Sequence, residues 1–337
     1  MNVMNSLSVC PSSLAEGFDT YSPAAVKALF DGIKVSPFLD FDLEDSRSVA
    51  FYDGPIRRIS VSGVQEKFPA VVDQGRLRLS EKGERSVYIL KPAPWDDSLQ
   101  FRRMLPANEH LTMQIASQVY GIATALNGLC FSGKHNRAVY LTRRFDILPD
   151  GSKLQMEDFA SVLGSSDILG DKYYKYNASY EDIAASIKQN VAAWKVDLER
   201  FFELLVFNFI YANGDAHLKN FSLIRQGSDL RLAPAYDLIN TSLHINGDDF
   251  ALTGGLSSNI NKSEVYCNTA HPCRVDFKSF GLHIGLRDVR VERLLDKYSV
   301  LPPKAITLVG RSFLDDKSKR LYLRIVGERI ARFNRAG

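Results

Sequence analysis

The stretch Asn213-Gly214-Asp215-Ala216-His217-Leu218-Lys219-Asn220 decides how this chain reads. The apolar segment Leu198 to Tyr211, which has the spacing of a helix, runs directly into it. A short strand, Phe221 to Ile224, leaves it. Gln226-Gly227-Ser228-Asp229 supplies a turn, Leu230 to Ala233 returns, and Pro234-Ala235-Tyr236-Asp237 closes the run. The order is helix, polar loop, hairpin, aspartate. Phosphoryl transfer needs few chemical parts: one carboxylate to take or orient the proton of an attacking hydroxyl, and an amide oxygen and a second carboxylate to hold Mg²⁺ against the phosphates of ATP. Asp215 and Asn220 have the Asp-x-x-x-x-Asn spacing of the first two parts. Asp237, beyond a hairpin that folds the chain back on itself, has the placement of the third. His217 and Lys219 share the loop and can face either the phosphates or the aspartate.

Upstream, the chain supplies what that chemistry requires next. A lysine on a strand must meet the α- and β-phosphates, and an acidic residue on the following helix must hold it. Lys91 closes the strand Ser86 to Leu90, and Glu109 opens the helix Asn108 to Tyr120, where Leu111, Ile115 and Val119 share a face and Gly121 fits the end. Ser60-Val61-Ser62-Gly63-Val64-Gln65-Glu66-Lys67 is the candidate phosphate loop. It has one glycine, with backbone N–H groups, hydroxyls and Lys67 to cradle phosphate. Arg143-Arg144-Phe145-Asp146 falls where two lobes join. Its backbone suits adenine, and Asp146 can reach the ribose.

Farther out, Pro23 to Phe30 predicts a short helix with Pro in its first turn, and Lys34 to Phe41 predicts loop. Arg57 to Ser62, Phe68 to Val72, Arg76 to Leu79 and Arg137 to Thr142 predict strands, with a turn at Gln74-Gly75. Glu181 to Asn190, Lys304 to Ser312 and Ser318 to Phe333 predict helices. The expected architecture is α+β: an N-terminal extension at 1–48, a strand-rich lobe with the phosphate loop at 49–145, and a mostly helical lobe with the catalytic loop at 146–337.

Composition fits a folded chain and narrows the partners. Among 337 residues, 45% are hydrophobic and 24% charged, enough for a sizeable core. Forty-two Lys plus Arg against 39 Asp plus Glu leave a net charge of +3, too balanced to imply direct nucleic-acid binding. The basic stretch Arg311 to Arg335 reads as a solvated helix face. Cys10, Cys130, Cys267 and Cys273 form no dense framework, and no stretch has the length of a membrane span or the pattern of a signal peptide, so a cytoplasmic chain is expected. Cys267, His271 and Cys273 lack an evident fourth zinc ligand in standard spacing and read as a loop. Trp194, Tyr173, Tyr174 and Tyr176 read as partly buried packing.

Taken together, these segments resemble the HipA family of toxin kinases from bacterial toxin–antitoxin systems. The resemblance is carried by Ile59 to Lys67, Tyr88-Ile89-Leu90-Lys91-Pro92, Asn108-Glu109, Arg144-Phe145-Asp146, Gln155-Met156-Glu157-Asp158, Gly214 to Ser222 and Pro234 to Asp237, in the family's order. It implies a two-lobed protein-kinase-like fold and serine/threonine kinase activity. Asp215 is the implied base, Asn220 and Asp237 the Mg²⁺ ligands, and Lys91 the phosphate-binding lysine, with His217 nearby. Ser62, Gly63 and Val64 of the loop and the backbone of Arg143 and Phe145 are implied at ATP. The family autophosphorylates a phosphate-loop serine. Ser60 occupies that place, and Ser62 stands where longer members have a small apolar residue. The short stretch ahead of the loop resembles the HipT branch, in which a separate HipS-like protein acts as antitoxin; a DNA-binding HipB-like partner is the other arrangement. Targets implied are aminoacyl-tRNA synthetases, the tryptophanyl enzyme for the short branch and the glutamyl enzyme for the longer one. Two other readings stay open from residues alone: a lipid or small-molecule kinase, against which stands the lack of a basic amphipathic membrane segment, and a non-catalytic subunit of a DNA-binding antitoxin complex, against which stands the intact set Lys91, Asp215, Asn220 and Asp237.

Overall fold

The computed structural model describes residues 7–43, 66–96, 98–165 and 173–335. The expected strand Arg57 to Ser62 and the loop residues Ser60, Ser62, Gly63 and Val64 lie outside them. The first lobe is a five-stranded antiparallel sheet ordered β2-β1-β3-β5-β4, formed by β1 (Phe68–Asp73), β2 (Arg76–Leu79), β3 (Tyr88–Lys91), β4 (Asn127–Ser132) and β5 (Arg137–Arg143). The β1–β2 turn works because Gln74 and Gly75 both take positive φ, 47° and 74°. A Cβ on Gly75 would also lie 2.8 Å from the Lys34 carbonyl oxygen, so only glycine fits. In the middle of the sheet Lys91 sits opposite Tyr140, 5.1 Å above its ring.

Strand β4 was not among the predicted elements. All six of its residues are buried, so it shows no alternation, and Asn127 and Gly128 are poor strand formers. What covers its outer side is the N-terminal segment. Cys10, Tyr21, Leu29, Phe30 and Val35 share one core with Phe68, Leu77, Tyr88, Leu90 and Leu141 of the sheet. The Tyr21 hydroxyl donates to the Leu129 carbonyl at 2.7 Å, and Ser12 Oγ to that of Asn127 at 2.8 Å. Residues 7–43 are thereby bound to the first lobe by core and hydrogen bonds alike.

Helix α2 (Leu105–Tyr120) begins three residues earlier than its sequence spacing suggests, with Pro106 in its first turn, and ends at Gly121. It is buried on nearly every side because it lies between the sheet and the helical lobe. That placement buries His110 completely, with Nε2 2.8 Å from the Ser12 carbonyl oxygen. Burial pushes its pKa down to about 4. The unfolded chain binds a proton on this imidazole below about pH 6.5, and the fold does not, so acid favours unfolding between those two values. Between pH 6 and 5 the unfolding free energy should fall by about 1 kcal/mol more in the parent chain than in His110→Gln. Urea denaturation at the two pH values measures this, and equal slopes would refute it.

The second lobe is mostly helical. Helix α4 (Tyr180–Asn190) starts in a capping box of Ser179 and Asp182. Helix α5 (Trp194–Ile210) carries Phe201, Phe202, Phe207 and Phe209 fully into the core, with Trp194 packed partly against it. A small sheet ordered β6-β7-β8 follows, built from Met156–Asp158, Ser222–Gln226 and Asp229–Leu232. Helices Pro303–Arg311 and Asp316–Phe333 match the expected pair. Helices Glu264–Thr269, Arg274–His283 and Asp288–Asp296 were not expected; they are short and polar, and Arg274–His283 takes a cysteine, Cys273, as its cap. Cys273 is buried with Sγ 3.5 Å from Ser263 Oγ, Cys267 is exposed, and His271 Nδ1 lies 2.7 Å from Asp249. No helix among the described residues is long and apolar enough to cross a membrane.

Candidate active site

Helix α5 stops where Ala212 takes φ +53°, and the turn this creates sends Asn213 to Asn220 across the mouth between the lobes. The loop braces itself. Asn213 Nδ2 donates to Asn208 Oδ1 at 2.9 Å, while its Oδ1 accepts the Asp215 N–H at 3.4 Å. The His217 N–H and Asn220 Nδ2 both donate to the Asp215 carbonyl, each at 2.8 Å. Gly214 donates its N–H to Thr241 Oγ1 at 2.9 Å, and a Cβ there would meet the Asp248 carbonyl oxygen at 2.9 Å and Thr241 Oγ1 at 3.2 Å. Gly214→Ala should therefore push the loop off Thr241 and lower kcat at least tenfold while the chain stays folded. Steady-state rates alongside thermal melting check this; an unchanged kcat would count against it.

Asp215 is buried, and the Tyr176 hydroxyl donates to its Oδ1 at 3.1 Å. His217 is 2% exposed, with Nε2 3.9 Å from the same oxygen and 2.9 Å from Lys175 Nζ. Burial first, and the ammonium of Lys175 second, push its pKa down to about 3. His217 is thus a neutral imidazole, not a cation for phosphate. Lys219 turns away from Asp215, to the Tyr174 hydroxyl at 3.2 Å and the Asp158 carboxylate at 3.6 Å. Of the three loop residues expected to be catalytic, the fold brings Asp215 and His217 together and directs Lys219 elsewhere.

The lobes meet at Asp237. Lys91, from the first lobe, donates to Asp237 Oδ1 and to Glu109 Oε1, the latter at 2.6 Å, and Lys67 reaches Asp237 Oδ2 at 3.3 Å. Burial would raise the Asp237 carboxyl, but Lys67 and Lys91 more than offset it and hold it far below the usual carboxylate range. Glu109 shifts the other way, because its burial outweighs the attraction of Lys91. Asp237 also takes φ +56°, an uncommon backbone for a residue with a side chain. No group of three or more His, Cys, Asp or Glu side chains converges among the described residues. One carboxylate plus one amide is nonetheless a donor set that suits Mg²⁺, which takes few protein ligands and completes its shell with water and phosphate oxygens. Asn220 fits this: its Nδ2 is engaged by the loop, so Oδ1 is the atom that can face a cation.

The hinge differs from expectation. Both Asp146 oxygens are held by Arg144, at 2.7 and 3.0 Å, instead of being directed toward a sugar. The Arg143 N–H donates to the Leu126 carbonyl at 2.8 Å, and the Arg143 side chain pairs with Asp31 at 2.7 Å. The Phe145 ring lies 5.8 Å from that of Tyr236. Lys175, Tyr176, Tyr174 and Asp158 belong to the site, although the tyrosines had read as packing. Their nearest site partners lie 39 to 61 positions along the chain, and no local spacing signals such an approach.

The chain is similar to known proteins. Residues 59–302 match the family described as the HipA-like C-terminal domain. A Haemophilus influenzae protein described as an inferred kinase is 27% identical over 96% of this chain and 95% of its own length. A Sinorhizobium fredii protein similarly described is 34% identical over 58% of this chain and 48% of its own length. The serine/threonine-protein kinase toxin HipA of Shewanella oneidensis is 26% identical over 56% and 44%. The chain thus spans nearly all of the first relative and about half of the other two. Among solved structures, HipA of Shewanella oneidensis, in complex with HipB and operator DNA, aligns with TM-score 0.61 at 19% identity over 84% of this chain and 66% of that one. The Helicobacter pylori proinflammatory kinase CtkA aligns with TM-score 0.50 at 16% identity over 82% and 93%. The fold is therefore that of the two-lobed kinases.

Proposed function

The chain belongs to the family of HipA-like C-terminal domains, and from that premise we propose that it is a toxin serine/threonine kinase that moves the γ-phosphate of ATP to a protein serine. One observation carries the reading: Lys91, Glu109 and Asp237, from three segments, meet in one ion cluster across the lobes, with Lys91 and Glu109 buried and Asp237 partly so. This cluster stands beside a loop with Asp215 and Asn220 at kinase spacing.

In this reading the substrate hydroxyl oxygen bonds to the γ-phosphorus as the bond to the β,γ-bridging oxygen breaks. Asp215 takes the hydroxyl proton, and ADP leaves. Lys91, held in place by Glu109, meets the phosphates. Asn220 Oδ1 and Asp237 would hold Mg²⁺, which when bound neutralises phosphate charge. Lys67 and Lys91 both meet Asp237, so the phosphates of ATP would enter beside two cations.

The finer reading follows from the sequence. Ser60 and Ser62 are the candidate autophosphorylation sites. A pair of serines there supports a HipT-like member and, with it, the tryptophanyl-tRNA synthetase as target ahead of the glutamyl enzyme. The HipB partner of the Shewanella oneidensis protein supports an antitoxin protein, of HipB or HipS type, as partner here. The test incubates the chain and Asp215→Ala with γ-labelled ATP, Mg²⁺ and each purified synthetase, and maps the label by mass spectrometry. Asp215-dependent label on serine supports the kinase, and its location names the target. Absence of both label and ATP binding would overturn the reading.

A further inference from the structure

The loop that carries Asp215 brings a lysine, Lys219, and turns it away: its ammonium is held by Tyr174 and Asp158. A different lysine takes up position at the base. Lys175 comes from the segment ahead of helix α4, lies half-buried over the Tyr176 ring at 4.9 Å, and points its Nζ at His217 Nε2, 2.9 Å away. Among the described residues its hydrogen-bond partner is that neutral imidazole and no carboxylate stands within ion-pair distance, whereas Lys67, Lys91 and Lys219 each have one. An ammonium drawn partly out of water without a paired anion favours the arrival of one. The neighbouring Tyr176 donates to Oδ1 of Asp215 at 3.1 Å.

Resting on the kinase reading above, we propose that Lys175 is the cation that contacts the transferring phosphoryl group, and that Tyr176 is a positioning residue that fixes the Asp215 carboxylate. The ammonium stabilises charge on the γ-phosphoryl oxygens as the bond to the bridging oxygen lengthens, while the proton of the attacking hydroxyl passes to Asp215. Lys175 itself neither gains nor loses a proton. His217 serves as the neutral acceptor that orients the lysine.

The experiment measures kcat and the KM for ATP of autophosphorylation or synthetase phosphorylation in full-length Lys175→Ala, Lys175→Arg, Tyr176→Phe and Asp215→Ala, with thermal melting of each. Loss of one charge-stabilising donor lowers kcat by roughly 100-fold in Lys175→Ala, with KM for ATP within a few-fold and part of the rate restored in Lys175→Arg. Tyr176→Phe lowers kcat by roughly tenfold while the KM for ATP stays within a few-fold, since the Asp215 carboxylate loses the hydrogen bond that fixes it. A folded Lys175→Ala that keeps the parent kcat, or one whose defect lies wholly in KM, overturns the proposal while Asp215-dependent transfer leaves the kinase reading in place. A parent chain without Asp215-dependent transfer overturns both.

Discussion

Asp215→Asn is expected to lower kcat by about three orders of magnitude, with the fold and the KM for ATP nearly unchanged. The substitution is isosteric. An asparagine Oδ1 still accepts from the Tyr176 hydroxyl, and the backbone bonds that hold the loop, from His217 and Asn220 to the carbonyl of residue 215, do not involve the side chain. What disappears is the ability to take a proton and the negative charge that orients the attacking hydroxyl, functions worth roughly 10²- to 10⁴-fold. Lys91, Lys67 and Asp237 lie outside the change, so ATP binding should survive. Steady-state kinetics with labelled ATP, beside a melting curve, measure both halves of the expectation. A folded Asp215→Asn chain within tenfold of the parent rate would remove Asp215 from the role of base.

Lys91→Met is expected to cost about 3 kcal/mol of stability near pH 7.5 and to abolish measurable transfer. The methionine fills similar volume, so the cost is electrostatic. Lys91 and Glu109 are 4% and 3% exposed at their side chains, and removing one partner of a buried pair leaves an uncompensated charge, typically worth 3–5 kcal/mol. Asp237 suffers less because Lys67 remains beside it and because it is more exposed, at 21%. The penalty therefore rests on Glu109, whose carboxyl burial already raises. A carboxyl with a raised folded pKa is at ease below its unfolded value of about 4.5 and loses stability as pH rises through the folded value. The defect should thus shrink as pH falls toward about 5 and level off once pH exceeds the folded value. Lys91→Met combined with Glu109→Gln should recover most of the stability and none of the transfer. Urea denaturation across pH measures the first effect and a coupled kinetic assay the second. A pH-independent loss would mean that the damage comes from packing instead.

The parts legible in the sequence are the contiguous ones. The strand pair Phe68–Asp73 and Arg76–Leu79, with Gln74-Gly75 between them, follows from alternation and from two residues that accept positive φ. The helix ending at Gly121 and the hairpin returning to Asp237 follow from equally local signals. Strand Asn127–Ser132 escaped because burial on both faces erases alternation, and helix Arg274–His283 because its cap is an unusual one. At the hinge, Asp146 has a chemistry that suits ribose. Its side chain goes to Arg144, two residues away, a local partner that spacing alone did not favour.

The sequence by itself determined which groups could do chemistry: the five-residue interval from Asp215 to Asn220, the aspartate after the hairpin, and a strand lysine ahead of a helical glutamate. Those are intervals along a covalent chain, where bond geometry limits what neighbours can do. Only the tertiary structure decided the pairings. It brought Lys67 to Asp237 across 170 positions and Lys91 to Asp237 across 146, turned Lys219 outward, and delivered Lys175 to His217 and Tyr176 to Asp215. Such contacts are set by how the helical lobe packs against the sheet through helix Leu105–Tyr120, and by which buried charges can find a partner there. Packing and charge pairing belong to the folded volume, so no interval read along the chain contains them.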